Sequence, residues 1–162
     1  MKVGDIIFTR DDSWLSKLIR LRTLGNWSHV GIVMSINPFI CIAAEFSGVK
    51  STTIERWADC SQILRVKETK KQTSKRLQFI ESQLGKPYDF MGFIDFLTMQ
   101  NHQSNNRWFC SELVSHSFLE VGIDLFEGRR KLVAPSNLYE NLNLEMIGEL
   151  NKLLNKEAKT CQ

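Results

Sequence analysis

The chain has 162 residues, 43% hydrophobic and 24% charged, which is the make-up of one globular domain rather than a disordered or fibrous chain. Its formal net charge of +3, from 21 basic and 18 acidic residues, is too small to point to nucleic acid, whose binders gather charge in one patch or stripe. No stretch approaches the ~18 apolar residues of a membrane span, and the opening MKVGDIIFTRDD is too short in its apolar run for a signal peptide.

The first half reads as strand-rich. Residues 3–9 (VGDIIFT) form a short strand. Residues 13–24 (SWLSKLIRLRTL) place Trp14, Leu15, Leu18, Ile19 and Leu21 at helical spacing, with Asp12 or Ser13 as cap and Gly25 as stop. Residues 29–35 (HVGIVMS) and 39–46 (FICIAAEF) are strands joined at the turn signal Asn37-Pro38. After Ser47-Gly48, residues 49–54 and then 62–67 (QILRVK) continue the sheet. The expectation is a small antiparallel sheet interrupted by one amphipathic helix.

The second half reads as helical. Residues 73–84 carry Leu77, Ile80 and Leu84 on one stripe, with Gly85 and Pro87 ending the helix. Residues 90–99 are a short apolar helix or turn, and 101–106 (NHQSNN) a polar loop. Residues 107–121 form a helix with Trp108, Leu113, Val114 and Phe118 inward, ended by Gly122. Pro135-Ser136-Asn137 opens a last helix to residue 144, and a helical tail follows.

Four cysteines and three histidines are the candidates for chemistry. Cys41, Cys60, Cys110 and Cys161 show no short C-x-x-C spacing, so neither a zinc site nor a redox pair is indicated. Cys41 reads as a core residue, Cys60 as a buried or half-buried bystander, and Cys161 as part of a polar tail. Cys110 stands near the start of a helix, where the positive end of the dipole favours thiolate. His29 opens an apolar strand and can take the thiol proton. Such a base needs a third polar group to hold it, and Glu45, one strand on, is the candidate. His116 lies six residues beyond Cys110, a turn of about 600°, and so points away from it. His102 falls in the polar loop.

The ordered segments GDIIF, SHVGIV, AAEFSGV, LGKPYDF and FCSELV resemble the NlpC/P60 superfamily of papain-like cysteine hydrolases. They are most similar to its circularly permuted branch, the YiiX/YaeF-like amidases related to lecithin–retinol acyltransferase, in which the His strand comes first and the Cys helix last. The resemblance runs from about residue 4 to 138. It implies an α+β permuted papain-like fold: a small antiparallel sheet or barrel packed on helices, with the cysteine on the N-terminus of a late helix. We take residues 1–145 as that domain and 146–162 as a C-terminal helical tail. It further implies Cys110 as nucleophile, His29 as general base, Glu45 as the residue orienting it, and Tyr88 in the oxyanion or substrate site. No cofactor or metal is implied. The segment between Tyr88 and Cys110 matches nothing in the family's pattern.

The implied activity is a cysteine hydrolase that cleaves amide or ester bonds through an acyl-enzyme. A peptide, a peptidoglycan fragment or an acyl lipid would be its substrate. The alternatives are an acyltransferase or phospholipase of the lecithin–retinol acyltransferase type, or a non-catalytic lipid- or peptide-binding module. A cytoplasmic protein is expected, or one exported without a Sec signal, such as a phage-encoded factor or an effector. The face bearing Trp14, Leu18 and Leu21, with Lys17, Arg20 and Arg22, is expected to be a packed lid with a solvated basic side, and an interfacial membrane helix is the other reading. The basic run of residues 67–76 is expected to be solvated.

Overall fold

Ile6, Ile7 and Phe8 are all fully buried, because β1 (Ile6–Thr9) has a strand on each edge and cover on each face. It pairs antiparallel with β2 (His29–Ile36) and with β5 (Ser61–Val66). Beyond β2 come β3 (Phe39–Glu45) and β4 (Gly48–Thr53); beyond β5 comes β6 (Leu144–Glu149). The order is β4-β3-β2-β1-β5-β6, with antiparallel neighbours throughout. This computed structural model describes residues 1–53, 57, 60–90, 92, 107–126, 133–141 and 144–153.

Helix α1 (Trp14–Thr23) links β1 to β2, and α2 (Lys70–Ser82) follows β5. Helix α3 (Cys110–Leu119) and the short α4 (Pro135–Tyr139) come later. The N-termini of α1 and α2 are fixed by side chains: Ser13 Oγ accepts the Ser16 N–H at 3.2 Å, and Thr69 and Gln72 form a reciprocal capping box. Strand alternation gives the sheet two cores. Ile6, Phe8, Val30, Ile32, Ile42, Ala44 and Leu64 face α3 and its Leu113, Val114 and Phe118. Ile7, Cys41, Ala43 and Ile63 face the other way, under Trp57 and Leu150. The expected α+β architecture is therefore present as a six-stranded sheet with helical cover.

Several local expectations are corrected. The helical tail expected from residue 146 meets a strand: residues 144–149 pair with β5 because that edge is open and apolar, and the helix resumes at Leu150. Helix α4 accordingly stops at Tyr139 rather than 144. Helix α3 starts at Cys110, not 107, because Trp108 is held in extended pairing with Tyr88. The stop of α1 falls on Leu24, which takes the left-handed conformation (φ 51) expected of Gly25. Trp14 and Leu21 are 75% and 72% exposed rather than packed. The expectations for residues 91, 93–106 and 154–162, with His102 and Cys161, lie outside the described residues.

Candidate active site

Helix α3 opens at Cys110 because the chain before it is pinned in extended form. Trp108 donates its backbone N–H to Pro87 O and accepts from Asp89 N–H, at 3.2 and 3.1 Å. Phe109 caps the helix with extended backbone, and Glu112 Oε2 accepts its N–H at 3.4 Å. Cys110 is thus the first helical residue, only 2% exposed. Burial pushes its thiol up to about 12, against the backbone N–H groups of Val30, Ser111 and Cys110 itself, which favour the thiolate. The helix start offers donors to the sulfur, while burial favours the thiol.

His29 opens β2 opposite Thr9. The stretch before it is anchored at Trp27, whose backbone N–H donates to Ser136 Oγ of α4 at 3.0 Å, while Ser136 Oγ donates to Trp27 O at 3.1 Å. The imidazole meets the Trp57 ring edge-on, with centroids 5.1 Å apart. Pairing between β2 and β3 begins with Ile32↔Ile42 and Val33↔Cys41. His29 and Glu45 lie beyond that paired stretch, at the ends of β2 and β3, and both line the same cleft. Glu45 pairs with Lys50 at 2.9 Å and is close enough to Cys41 to help raise that thiol, after burial, to about 12.

A second carboxylate approaches His29. Asp11, in the turn from β1 to α1, accepts from Ser13 N–H at 2.9 Å and from Ser13 Oγ at 2.5 Å. Burial works to raise its pKa, but these bonds, Ser16 and the electrostatic attraction of His29 outweigh it and hold the carboxyl low. Asp11 N–H also donates to Ser16 Oγ at 3.3 Å, and Ser16 Oγ lies 2.6 Å from Ser28 Oγ, next to His29. Nothing in the sequence distinguishes Asp11 from Asp12. The link appears only once the β1–α1 turn folds against the start of β2.

Tyr88 is 7% exposed, and its ring lies 5.8 Å from Phe109. Burial raises its hydroxyl well above the usual range, with Cys110 and Asp89 adding to the shift, so it stays a donor. Phe46 and Phe90 stack around it at 4.8 and 5.7 Å, and Phe46 lines one side of a cleft. That cleft, of about 800 Å³, has Cys110, His29, Glu45 and Tyr88 in its wall, together with Asp11, Trp14 and Trp57. The four residues singled out from the sequence therefore share one cavity.

The remaining candidates sit elsewhere. Cys41 is fully buried, as expected, whereas Cys60 is exposed rather than half-buried and lies at the cleft's rim. His116 stacks on Trp108 at 5.1 Å and reaches Glu120 at 3.3 Å, away from the cleft. Among the described residues, no three His, Cys, Asp or Glu side chains gather as a metal ion would require. No helix among them is long and apolar enough to cross a membrane.

Comparison with known proteins bears on the family and the fold. The chain is 31% identical over 120 residues to the uncharacterized protein YiiX of Escherichia coli K12, across 70% of this chain and 55% of that one. The chain thus spans about half the length of this curated relative. The crystal structure of the metalloprotein YiiX from Escherichia coli O157:H7 superposes with a TM-score of 0.73 over 91% of this chain and 97% of that one, at 24% identity, so the fold is shared. The sequence pattern of the permuted papain-like amidase enzymes (YaeF/YiiX, C92 family) matches residues 1–154. With the His-bearing strand first, the Cys-bearing helix last and both on one cleft, the chain belongs to the permuted papain-like amidase family.

Proposed function

We propose that this protein is a cysteine hydrolase that opens an amide or ester bond through an acyl-enzyme on Cys110, with His29 moving the proton. The observation that carries this reading is the position of Cys110: first residue of a helix, among three backbone N–H groups, in the wall of the cleft that also holds His29. The family's description as amidases favours an amide substrate.

Proton transfer from the Cys110 thiol to His29 generates the nucleophile. The Cys110 sulfur bonds to the carbonyl carbon. The carbonyl oxygen takes up negative charge, which the N–H of Cys110 and the Tyr88 hydroxyl are suited to receive. The C–N or C–O bond then breaks as His29 protonates the leaving amine or alcohol. Water, deprotonated by His29, opens the thioester and returns the carboxylic acid and the thiol. Glu45 orients the imidazole in this scheme, and Asp11 is the competing carboxylate.

Hydrolysis of p-nitrophenyl esters and amides, with mass spectrometry of the quenched enzyme, tests the scheme. A single acyl adduct on Cys110 is expected, along with a fall of about 10³-fold or more for Cys110→Ala and His29→Ala. Undiminished turnover in Cys110→Ala would overturn the reading. Glu45→Gln should lower kcat by about tenfold or more with KM little changed. If instead Asp11→Asn does so and Glu45→Gln does not, the orienting role belongs to Asp11.

A further inference from the structure

Helix α1 buries Ile19 and half-buries Leu15 and Leu18, yet turns other apolar side chains outward. Ser16 and Ile19 face the fold, while Trp14, Leu21 and Leu24 stand 75%, 72% and 92% exposed. At 100° per residue, Trp14, Lys17 and Leu21 fall within one arc of about 60°, and Arg20 and Arg22 flank it on either side. Leu24 carries the stripe past the end of the helix in a left-handed conformation (φ 51) that disfavours leucine. A side chain so exposed gains nothing from the fold for either cost.

The same helix carries cations and no acid. Lys17, Arg20 and Arg22 are its only charged residues, and their sum equals the chain's formal net charge of +3. The rest of the chain is therefore neutral on balance. Asp11 and Asp12 precede the helix on the cleft side. Across the cleft, Phe46 lines the wall and packs on Phe90; the two are 43% and 50% exposed, with ring centroids 5.1 Å apart.

From this we infer that α1 and the facing aromatic pair dock on an anionic lipid bilayer. Trp14, Leu21 and Leu24 enter the interface, and Lys17 and Arg20 meet the phosphate headgroups. Tryptophan and leucine on one arc with cations along its sides is the pattern of a helix lying in a membrane surface. The cations complement the negative charge of such a surface. Docking would set the mouth of the cleft, between Trp14 and Phe46, against the lipid. The inference concerns where the protein sits and does not depend on Cys110 being reactive.

Tryptophan fluorescence reads this directly. Trp27, Trp57 and Trp108 are 8%, 4% and 8% exposed, so Trp14 alone of the four tryptophans meets solvent. Adding vesicles of phosphatidylcholine and phosphatidylserine to the full chain should shift its emission to the blue and carry the protein into the pellet. Vesicles of phosphatidylcholine alone should do neither. Each cation removed from the pair Lys17→Gln and Arg20→Gln should weaken partitioning about fivefold, the worth of one cation at an anionic surface. Leu21→Ser with Leu24→Asn should weaken it by about tenfold or more. The fold should survive these variants, read as a retained melting transition, since Lys17 and Leu21 are exposed and asparagine suits the φ of 51 at position 24 better than leucine does. Cys110→Ala should bind as the wild type does, which separates this test from that of catalysis. No shift and no sedimentation would overturn the inference, as would equal binding to neutral vesicles. A blue shift that follows protein concentration without lipid would also overturn it, because a second copy of the chain would then be the occupant.

Discussion

Cys110 and Glu112, two residues apart at the start of α3, are both pushed toward their neutral forms. For Glu112, burial raises the pKa to about 7; the Phe109 N–H works against this and Asp89 adds to it. An acid whose folded pKa lies above its unfolded one binds its proton more tightly when folded. The native state is therefore favoured below the unfolded pKa, and that advantage fades as pH rises toward 7. The loss is on the order of a few kcal/mol. Glu112→Gln keeps an acceptor for the Phe109 N–H and removes the charge. Thermal unfolding should show Glu112→Gln more stable than wild type at about pH 8 and level with it at about pH 5. A pH-independent difference would mean that Glu112 is not the titrating group.

At the scale of elements, Gly31 explains how a tryptophan comes to cover the histidine strand. A Cβ at Gly31 would lie 2.7 Å from Trp57 Cη2 and 3.0 Å from Ile42 O. The missing side chain lets the Trp57 ring lie on β2 and reach His29. Gly31→Ala should cost about 1–3 kcal/mol by overpacking, read from urea unfolding, and should slow ester hydrolysis through the displaced ring. In the double variant with Trp57→Phe the two losses should be less than additive, because the smaller ring vacates the contact. Strict additivity would place the strain elsewhere. Helix α1 is the contrasting element: its amphipathic pattern is plain in the sequence, yet the pattern alone does not say which arc faces in.

On the scale of the whole molecule, Arg76 ties α2 to the start of the sheet. Fully buried, it pairs with Glu68 at 2.6 Å, donates to Gly4 O at 2.7 Å and lies 4.0 Å over the Phe118 ring of α3. The basic run of residues 67–76, expected to be solvated, thus sends one of its cations into the interior. Arg76→Ala would leave the 4% exposed Glu68 carboxylate buried and unpaired. A loss of about 3–5 kcal/mol is expected in chemical denaturation. Replacing both partners with apolar residues, as in Arg76→Met with Glu68→Leu, should recover most of it.

The sequence by itself determined what local pattern and residue order determine. Alternating and continuous apolar runs marked the strands, caps and glycines marked most helix ends, and the order of five short segments indicated the family and four residues of the cleft wall. It did not determine the facing of α1, because outward Trp14 and inward Ile19 lie on the same helix and only packing against α4 and the segment before β2 selects between them. Nor did it determine that residues 144–149 would form a strand, since the edge of β5 exists only after the sheet has formed. Asp11 beside His29 and Arg76 in the core were equally invisible, one aspartate among two and one cation in a basic run. Each depends on contacts between residues distant in the chain. Proximity of that kind is a property of the folded sheet, and the tertiary structure alone decided it.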